Sequence, residues 1–225
     1  MSTFFCCKNG KKEVYCGKIY NFIFIMRKID IFVFRHGQTE MNVAQRWQGS
    51  GIDSVLTVTG KKQALELGEK VRHNGITTIY CSPLLRAVQT ANIIADKNPV
   101  ATPIVILKDL RECSFGDLEG LTFQEVEEKY SETVQTFLSP TKETWDLKFS
   151  NGESKKETFE RVKQALMYIV ESNKFLMYPV GVVCHAGVLS ALACGMGFTD
   201  VSYDNCSILH LVYDYDENKF LQVKD

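Results

Sequence analysis

The chain alternates short apolar runs with longer amphipathic segments. The first predicted strand spans residues 29–35. Its residues Ile31 to Phe34 are all apolar, as in a strand buried on both faces. Similar runs predict strands at 76–81, 105–107 and 180–184. Strands and helices that alternate in this way predict right-handed crossovers and a mostly parallel sheet. The expected fold is therefore α/β, a three-layer sandwich with helices on both faces of the sheet.

The helices are predicted from apolar positions spaced three and four residues apart. One begins at Thr59-Gly60 and ends near Asn74-Gly75. A second spans 84–95, with Ser82 as N-cap and Pro83 at the first helical position. Two more are predicted at 153–170 and 188–194, and the segments 207–213 and 219–223 form a predicted closing hairpin.

Two regions depart from this alternation. Residues 1–28 show no helical period and carry six Lys or Arg against one Glu, so they are assigned to an extension: a flexible segment, an added strand, or sequence upstream of a second start codon. The remainder, 29–225, is assigned to one domain. Between about 113 and 150, aromatic residues are scattered among acidic and threonine residues, which predicts a helical cap insertion. A lid and an ordinary peripheral helix pair explain this composition equally well.

Composition and charge narrow the class of protein. With 225 residues, of which 45% are hydrophobic, the chain can bury a full core, and a net charge of −1 gives no global attraction to nucleic acid or to a membrane. The early apolar run, 19–26, is far shorter than the roughly 20 residues that span a bilayer. Eight cysteines without a C-x-x-C pair indicate reduced thiols, so a cytoplasmic location is predicted.

Residues suited to phosphoryl chemistry stand at the predicted strand ends. His36, between Arg35 and a glycine, follows the first strand; His185 ends a later one; and Arg86 lies one turn into a helix that starts at a strand end. In open α/β sheets ligands bind beyond the carboxyl ends of the strands. An imidazole can act as a nucleophile, and a guanidinium matches phosphoryl oxygens. Each residue alone has an ordinary structural explanation, but together they predict one crevice.

A carboxyl group follows the third strand in the same way. Glu112 lies three residues before Phe115, and an apolar wall of this kind would raise the pKa of the carboxyl group and suit it to general acid catalysis. A surface loop glutamate is the ordinary alternative.

Several motifs occur in order over about residues 29–215: Arg35-His36-Gly37-Gln38-Thr39 with Asn42, Ser82-Pro83-Leu84-Leu85-Arg86-Ala87, Leu110-Arg111-Glu112, Asn151-Gly152-Glu153-Ser154, His185-Ala186-Gly187, and Asn205 with Ser207. Together they resemble the histidine phosphatase superfamily, which includes cofactor-dependent phosphoglycerate mutases and many small phosphomonoesterases. An ordered set of motifs is far more specific than any one of them. One departure is Ala186, which stands where the family commonly has glycine.

The resemblance implies a role for each matching residue. The implied catalytic residues are His36, which accepts the phosphoryl group, Glu112, which donates a proton, and His185, which helps to hold the phosphoryl group. The implied substrate-binding residues are Arg35, Arg86, Asn42 and, matched least closely, Gln48. The family uses no metal, and the sequence has no carboxylate cluster of the magnesium-binding type, so neither a metal nor a cofactor is expected.

The predicted function is metal-independent hydrolysis of a small phosphorylated metabolite through a phosphohistidine intermediate. A phosphoglycerate mutase uses the same nucleophile and is the alternative; a catalytically silent phospho-ligand binding module is disfavoured because each catalytic position holds a competent residue. The short segment 42–59 and residues 113–120 resemble the small phosphatases more than the mutases. The small substrate is the expected partner, with neither nucleic acid nor membrane, and the sequence allows a homodimer. Cys113 and Cys184 flank Glu112 and His185, but we expect them to be buried and inert.

Overall fold

A computed structural model describes residues 27–139 and 141–224. Its strands are β1 (Lys28–Arg35), β2 (Thr78–Cys81), β3 (Ile104–Ile106), β4 (Val180–Cys184), β5 (Ile208–Asp214) and β6 (Lys219–Gln222). Its helices are α1 (Glu40–Val43), α2 (Val58–Val71), α3 (Leu85–Lys97), α4 (Phe123–Leu138), α5 (Lys155–Asn173) and α6 (Ala186–Met196), with 3-10 turns at Lys108–Leu110 and Gly116–Leu118. The predicted extension at 1–28 lies outside the described residues except for its last two, and Lys28 begins β1.

The six strands form one sheet in the order β3-β2-β4-β1-β5-β6. The strands β3, β2, β4 and β1 are parallel, whereas β5 and β6 form an antiparallel hairpin against β1. The mostly parallel sheet and the hairpin predicted from the sequence are confirmed. Because β1, β2 and β4 run in the same direction, the residues that follow them meet at one edge of the sheet.

Helices cover both faces of the sheet, as the alternation of side chains in β1 requires. Ile31 and Val33 point to one face, where they join a cluster with residues of α5 and α6 such as Leu166. Phe32 and Phe34 point to the opposite face and pack with residues of α2 and α3. The three-layer sandwich is confirmed, and a strand buried on both faces holds its end rigidly.

Two helix starts differ from those predicted. Helix α2 begins at Val58 because the Thr57 hydroxyl accepts a hydrogen bond from the Gly60 backbone at 2.9 Å, a cap typically worth about 1 kcal/mol. The prediction that Ser82 caps α3 is wrong. That helix begins at Leu85, and its N-cap residue makes no side-chain bond. The Ser82 hydroxyl accepts from the backbone N–H of Leu84, the N-cap residue, at 3.3 Å and contacts Nε2 of His185 at 2.7 Å.

The cap region contains α4, which consists of two helical segments that meet at a kink. A capping box between Thr122 and Glu125 begins it, and a non-helical residue, Tyr130 (φ −135°, ψ 17°), breaks it in the middle. The buried side chains of the region form their own apolar cluster: Cys113, Leu118, Val126, Val134, Phe137 and Phe149. We call this group the cap cluster. It shares no residue with the two clusters that flank the sheet.

Among the described residues, no helix is long and apolar enough to cross a membrane.

Candidate active site

The two predicted histidines meet because β1 and β4 are neighbours. Arg35 pairs with Cys184 in the parallel ladder, and the backbone N–H of His36 donates to the Cys184 carbonyl at 3.1 Å. The residues that follow, His36 and His185, therefore lie side by side, with ring centroids 5.2 Å apart and planes tilted by 58°. Both rings are buried, at 2% and 0% exposure.

Hydrogen bonding fixes the tautomer of His36. Nδ1 lies 2.7 Å from the Gly37 carbonyl, which can only accept, so Nδ1 carries the proton. In the neutral ring the lone pair is then on Nε2, which bonds to none of the described residues. Burial, followed by the charges of Arg86 and Arg35, holds the pKa of His36 well below its usual value. The imidazole is therefore neutral at physiological pH, the form that can act as a nucleophile.

Arg86 reaches this position from the second residue of α3 and is 1% exposed. Its Nη1 donates to the Ile52 carbonyl at 3.1 Å and to Asp53 at 3.3 Å, and its Nη2 donates to the Gly49 carbonyl at 2.8 Å. Its buried Nε has no partner among the described residues. A buried polar atom is normally hydrogen-bonded. The guanidinium is thus held firmly by the protein, with one edge left for an anionic ligand.

Two further buried nitrogen atoms of the site share this property. Nε of Arg35 and Nδ1 of His185 are also without a partner among residues 27–139 and 141–224. Arg35 is held through a bond from Nη1 to the Tyr203 carbonyl, and His185 through Ser82. Burial lowers the pKa of His185 as well, followed by the charge of Arg86, so that a neutral ring is available there. Three unpaired nitrogens beside the nucleophile suit a group with several equatorial oxygens.

The Glu112 carboxyl group is buried beside the N-terminus of α6. One oxygen accepts from the Cys113 backbone N–H at 2.8 Å and the other from the Gly187 N–H at 3.2 Å. A Cβ at Gly187 would lie 2.5 Å from Oε1 of Glu112, so a larger residue there would displace the carboxyl group from this position. Burial raises the pKa of Glu112, and the two arginines oppose that rise only in part. Ala186, by contrast, is the first helical residue, and its φ is not positive, so alanine fits.

The polar residues Asn42 and Gln48 complete the predicted set. Oδ1 of Asn42 accepts from the Thr39 backbone at 3.1 Å, and Oε1 of Gln48 accepts from the Ser54 hydroxyl at 2.8 Å. These bonds orient both amides through their oxygens. Their N–H groups make no bond to the described residues and are free to donate to a ligand.

A cavity of about 600 Å³ joins these groups. Six of the seven predicted site residues line it: Arg35, His36, Asn42, Gln48, Arg86 and Glu112. The seventh, His185, is fully buried and is not part of this lining; its ring lies beside that of His36, with centroids 5.2 Å apart, and its Nε2 lies 2.7 Å from the Ser82 hydroxyl. The arrangement can surround a phosphoryl group with cations and place a neutral imidazole and a buried carboxyl group next to it.

Sequence reasoning missed the residues that support this set. Arg161 of α5 donates to the Glu112 carbonyl at 2.9 Å and pairs with Glu153 at 2.7 Å, which fixes the loop that carries the acid. Asp53 holds Arg86 and also accepts from the Leu85 backbone at 2.6 Å. Glu153 belongs to a motif found in the sequence, whereas Arg161 and Asp53 carry no signal of their own.

Much of the remaining cavity wall is apolar and comes from the cap. Trp47 packs edge-on against Phe115, with centroids 4.8 Å apart, and Phe115 packs edge-on against Phe137. These side chains and the apolar residues Phe123, Val126, Val134 and Leu138 line the cavity. The region predicted to be a cap therefore forms part of the wall of the site.

The cysteines of the site are protonated. Cys113 lines the cavity, and burial raises its pKa to about 12. Burial also raises the pKa of Cys184, which is fully buried. A reactive thiol needs a lowered pKa and access to solvent.

Comparison with known proteins places the chain in a family. The family model for the histidine phosphatase superfamily (branch 1) matches residues 31–225. Probable phosphoglycerate mutase GpmB of Enterobacter sp. (strain 638) is 32% identical over 199 residues, which cover 86% of this chain and 88% of that protein. Phosphoglycerate mutase-like protein 4 of Arabidopsis thaliana is 34% identical over 164 residues, which cover 72% of this chain and 69% of that protein.

A similar fold is found in a solved structure. The mycobacterial glucosyl-3-phosphoglycerate phosphatase superposes with a TM-score of 0.74 at 23% identity, over 87% of this chain and 97% of that one. The chain belongs to the histidine phosphatase superfamily. The assignment to an enzyme of the histidine phosphatase type, made from its motifs, is confirmed at this level.

Proposed function

We propose that the protein hydrolyses a small phosphomonoester without a metal ion, through a phosphohistidine on His36. The observation that carries the proposal is the bond from Nδ1 of His36 to the Gly37 carbonyl, which leaves the lone pair on Nε2. Among the described residues, no group of three or more His, Cys, Asp or Glu could hold a metal ion. The cations that such chemistry needs would be the buried arginines.

In the first step Nε2 of His36 attacks phosphorus, and the bond from phosphorus to the leaving oxygen breaks. Negative charge spreads over three equatorial oxygens, which Arg35, Arg86 and His185 stabilise. Glu112, whose pKa burial raises, gives its proton to the departing alkoxide in the protonated form. In the second step a water molecule attacks phosphorus and gives a proton to the Glu112 carboxylate, and the nitrogen–phosphorus bond breaks to release inorganic phosphate and neutral His36.

A phosphoglycerate mutase is the second candidate, favoured by the names of two relatives. A mutase keeps the phosphoryl group by returning it to the bound product. Against this stands the size of the cavity, about 600 Å³, and its largely apolar cap wall, which a three-carbon polar substrate would not cover. Hydrolysis of a phosphomonoester that is larger than phosphoglycerate and partly apolar therefore suits the site better.

The product of the reaction distinguishes the two candidates. We would incubate the protein with 3-phosphoglycerate and a trace of 2,3-bisphosphoglycerate, beside a panel of phosphomonoesters, with and without EDTA. We expect release of inorganic phosphate from the panel, unchanged by the chelator. Rapid formation of 2-phosphoglycerate with little free phosphate would make the protein a mutase. Loss of activity in EDTA, restored by a divalent ion, would contradict the metal-free mechanism.

The substitution Glu112→Gln tests the proton donor. Only a basic alkoxide needs a proton, so kcat/KM should fall by about 10²- to 10⁴-fold for an alkyl phosphate but much less for 4-nitrophenyl phosphate. In the wild type, alkyl phosphate hydrolysis should decline with rising pH as Glu112 loses its proton, at a pH above the carboxyl group's ordinary pKa of 4.5. Steady-state kinetics from pH 4 to 9 would measure both effects.

Glu132 is exposed in α4, and Glu132→Gln is the matched control. It should leave kcat/KM unchanged for both the alkyl and the aryl phosphate. Equal losses on alkyl and aryl phosphates in Glu112→Gln would assign the proton donor to another group.

A further inference from the structure

Lys155 is a buried cation in the apolar part of the active-site cavity. It is the first residue of α5 after the N-cap Ser154, it is 4% exposed, and it lines the same cavity as His36 and Glu112. The proposed reaction gives it no task, since the phosphoryl group is already surrounded by two arginines and a histidine.

No carboxylate of the described residues neutralises this charge. Nζ donates to the Ser139 carbonyl at 2.6 Å and lies 5.7 Å from the centre of the Phe137 ring. None of the ion pairs among the described residues includes it, although its neighbour Lys156 pairs with Asp146 at 3.1 Å. A buried charge without a counterion is rare, because lysine is almost never fully buried unless it is paired.

The position within the helix makes the charge still less favourable. The N-terminus of a helix carries a partial positive charge, so a cation there is repelled and an anion is attracted. Glu157 lies in the same first turn, but its oxygens accept from the Ser154 backbone and from Lys148. Burial lowers the pKa of Lys155, and nearby Cys113 and Cys194 oppose this only as thiolates. The cavity thus contains a buried lysine with which no acidic side chain of the described residues pairs.

The residues around Lys155 in the cavity indicate that the ligand also has an apolar part. Trp47, Phe115 and Phe137 line the same cavity as Lys155 and present aromatic rings to it, although the buried indole N–H of Trp47 has no partner among the described residues. Glu127 and Arg46 also line the cavity, but both are exposed, and Glu127 is engaged by Ser131 at 3.0 Å. An apolar body that spans the wall would bring its far end to Lys155.

We propose, on the basis of the proposed function, that the leaving group of the substrate has an apolar body ending in an anionic group, a carboxylate or a second phosphate, that Lys155 binds. Lys155 is then a specificity-determining residue. A purely structural explanation is that the lysine only fastens the end of α4, whose C-cap is Ser139, to the start of α5. This explanation predicts no dependence on the charge of the substrate.

Matched aryl phosphates separate the two explanations. We would compare 4-carboxyphenyl phosphate and homologues with one to three methylene groups before the carboxylate against the corresponding carboxamides, which have nearly the same shape without charge. A parallel arm replaces the carboxylate by a phosphonate and distinguishes the two anions. For at least one chain length, wild-type kcat/KM should favour the anion by about 10- to 100-fold, the effect of one hydrogen bond between charged groups.

The variant Lys155→Met should reduce this preference to about 1 while changing carboxamide hydrolysis only a few-fold. Lys155→Arg should keep most of the preference, and the adjacent Lys156→Met, which removes a lysine outside the cavity, should keep all of it. Wild-type protein without any preference would overturn the proposal. So would Lys155→Met if it lowered hydrolysis of both substrates equally.

The wild-type measurements do not depend on whether a variant folds. Analogues in which a non-hydrolysable phosphonate replaces the ester phosphate would give the preference for the anion over the carboxamide from calorimetric binding, without turnover. Hydrolysis without preference would overturn only the role of Lys155. Binding with preference but without hydrolysis would overturn only the proposed function.

Discussion

Replacing His36 by alanine is expected to lower kcat by about 10⁴-fold or more, the scale on which enzymes lose activity when their covalent nucleophile is removed. The expectation rests on the geometry of one ring, in which Nδ1 is bound to the Gly37 carbonyl and Nε2 is left to attack. Wild-type protein mixed briefly with ³²P-labelled substrate and quenched should also retain label that is lost in acid and stable in alkali. His36→Ala should retain none.

The exposed His73, next to the end of α2, offers a control of the same chemistry, and His73→Ala should keep full activity and labelling. His36→Ala that retains more than about a thousandth of wild-type turnover would remove His36 from the role of nucleophile. Label that survives acid instead would assign the intermediate to an ester oxygen.

Replacing Arg86 by methionine is expected to lower kcat/KM by about 10³-fold or more. One preorganised donor to a developing charge contributes about 10² to 10³, and Arg86 contributes both a buried positive charge and more than one N–H. Arg86→Lys should recover little, because an ammonium cannot occupy the three contacts to Gly49, Ile52 and Asp53 and still present an edge to the phosphoryl group. Steady-state kinetics and the labelling experiment measure the loss.

Since Arg86 also ties the segment around Asp53 to α3, the melting temperature of each variant should be determined as well. Asp53→Asn keeps the shape of this contact but removes its charge, and it should cost far less activity than Arg86→Met. Near wild-type kinetics in Arg86→Met, with the fold intact, would show that the guanidinium does not hold the phosphoryl group. Arg72→Met, at an exposed pair with Glu69, is the control.

The position of the site could be predicted because the carboxyl ends of parallel strands lie at the same edge of the sheet. His36 and His185 are far apart in the chain, yet each ends an apolar run, and neighbouring parallel strands bring such ends together. Glu112 follows β3 by the same logic. Strand direction and side-chain chemistry predict these positions, whereas Asn42 and Gln48 follow only from the family resemblance.

Contacts made by helix surfaces could not be predicted in this way. Arg161 and Lys155 both lie on α5, where the periodicity predicts a helix but does not show which polar residue turns inward. Their roles depend on how α5 packs against the loop of Glu112 and against the end of α4. The prediction that Ser82 is the N-cap was wrong for a related reason. A serine before a proline is a common helix start, but here its hydroxyl contacts His185, which follows another strand.

The separate cap cluster has a consequence for how this protein could change. Because its side chains form no part of the clusters that flank the sheet, substitutions such as Val134→Leu or Phe137→Leu would reshape the wall of the cavity and leave the strands that carry His36 undisturbed. The residues that shape this wall are therefore distinct from those that pack against the strands of the nucleophile. A library restricted to the cap should yield variants that accept new leaving groups and still phosphorylate the same nitrogen.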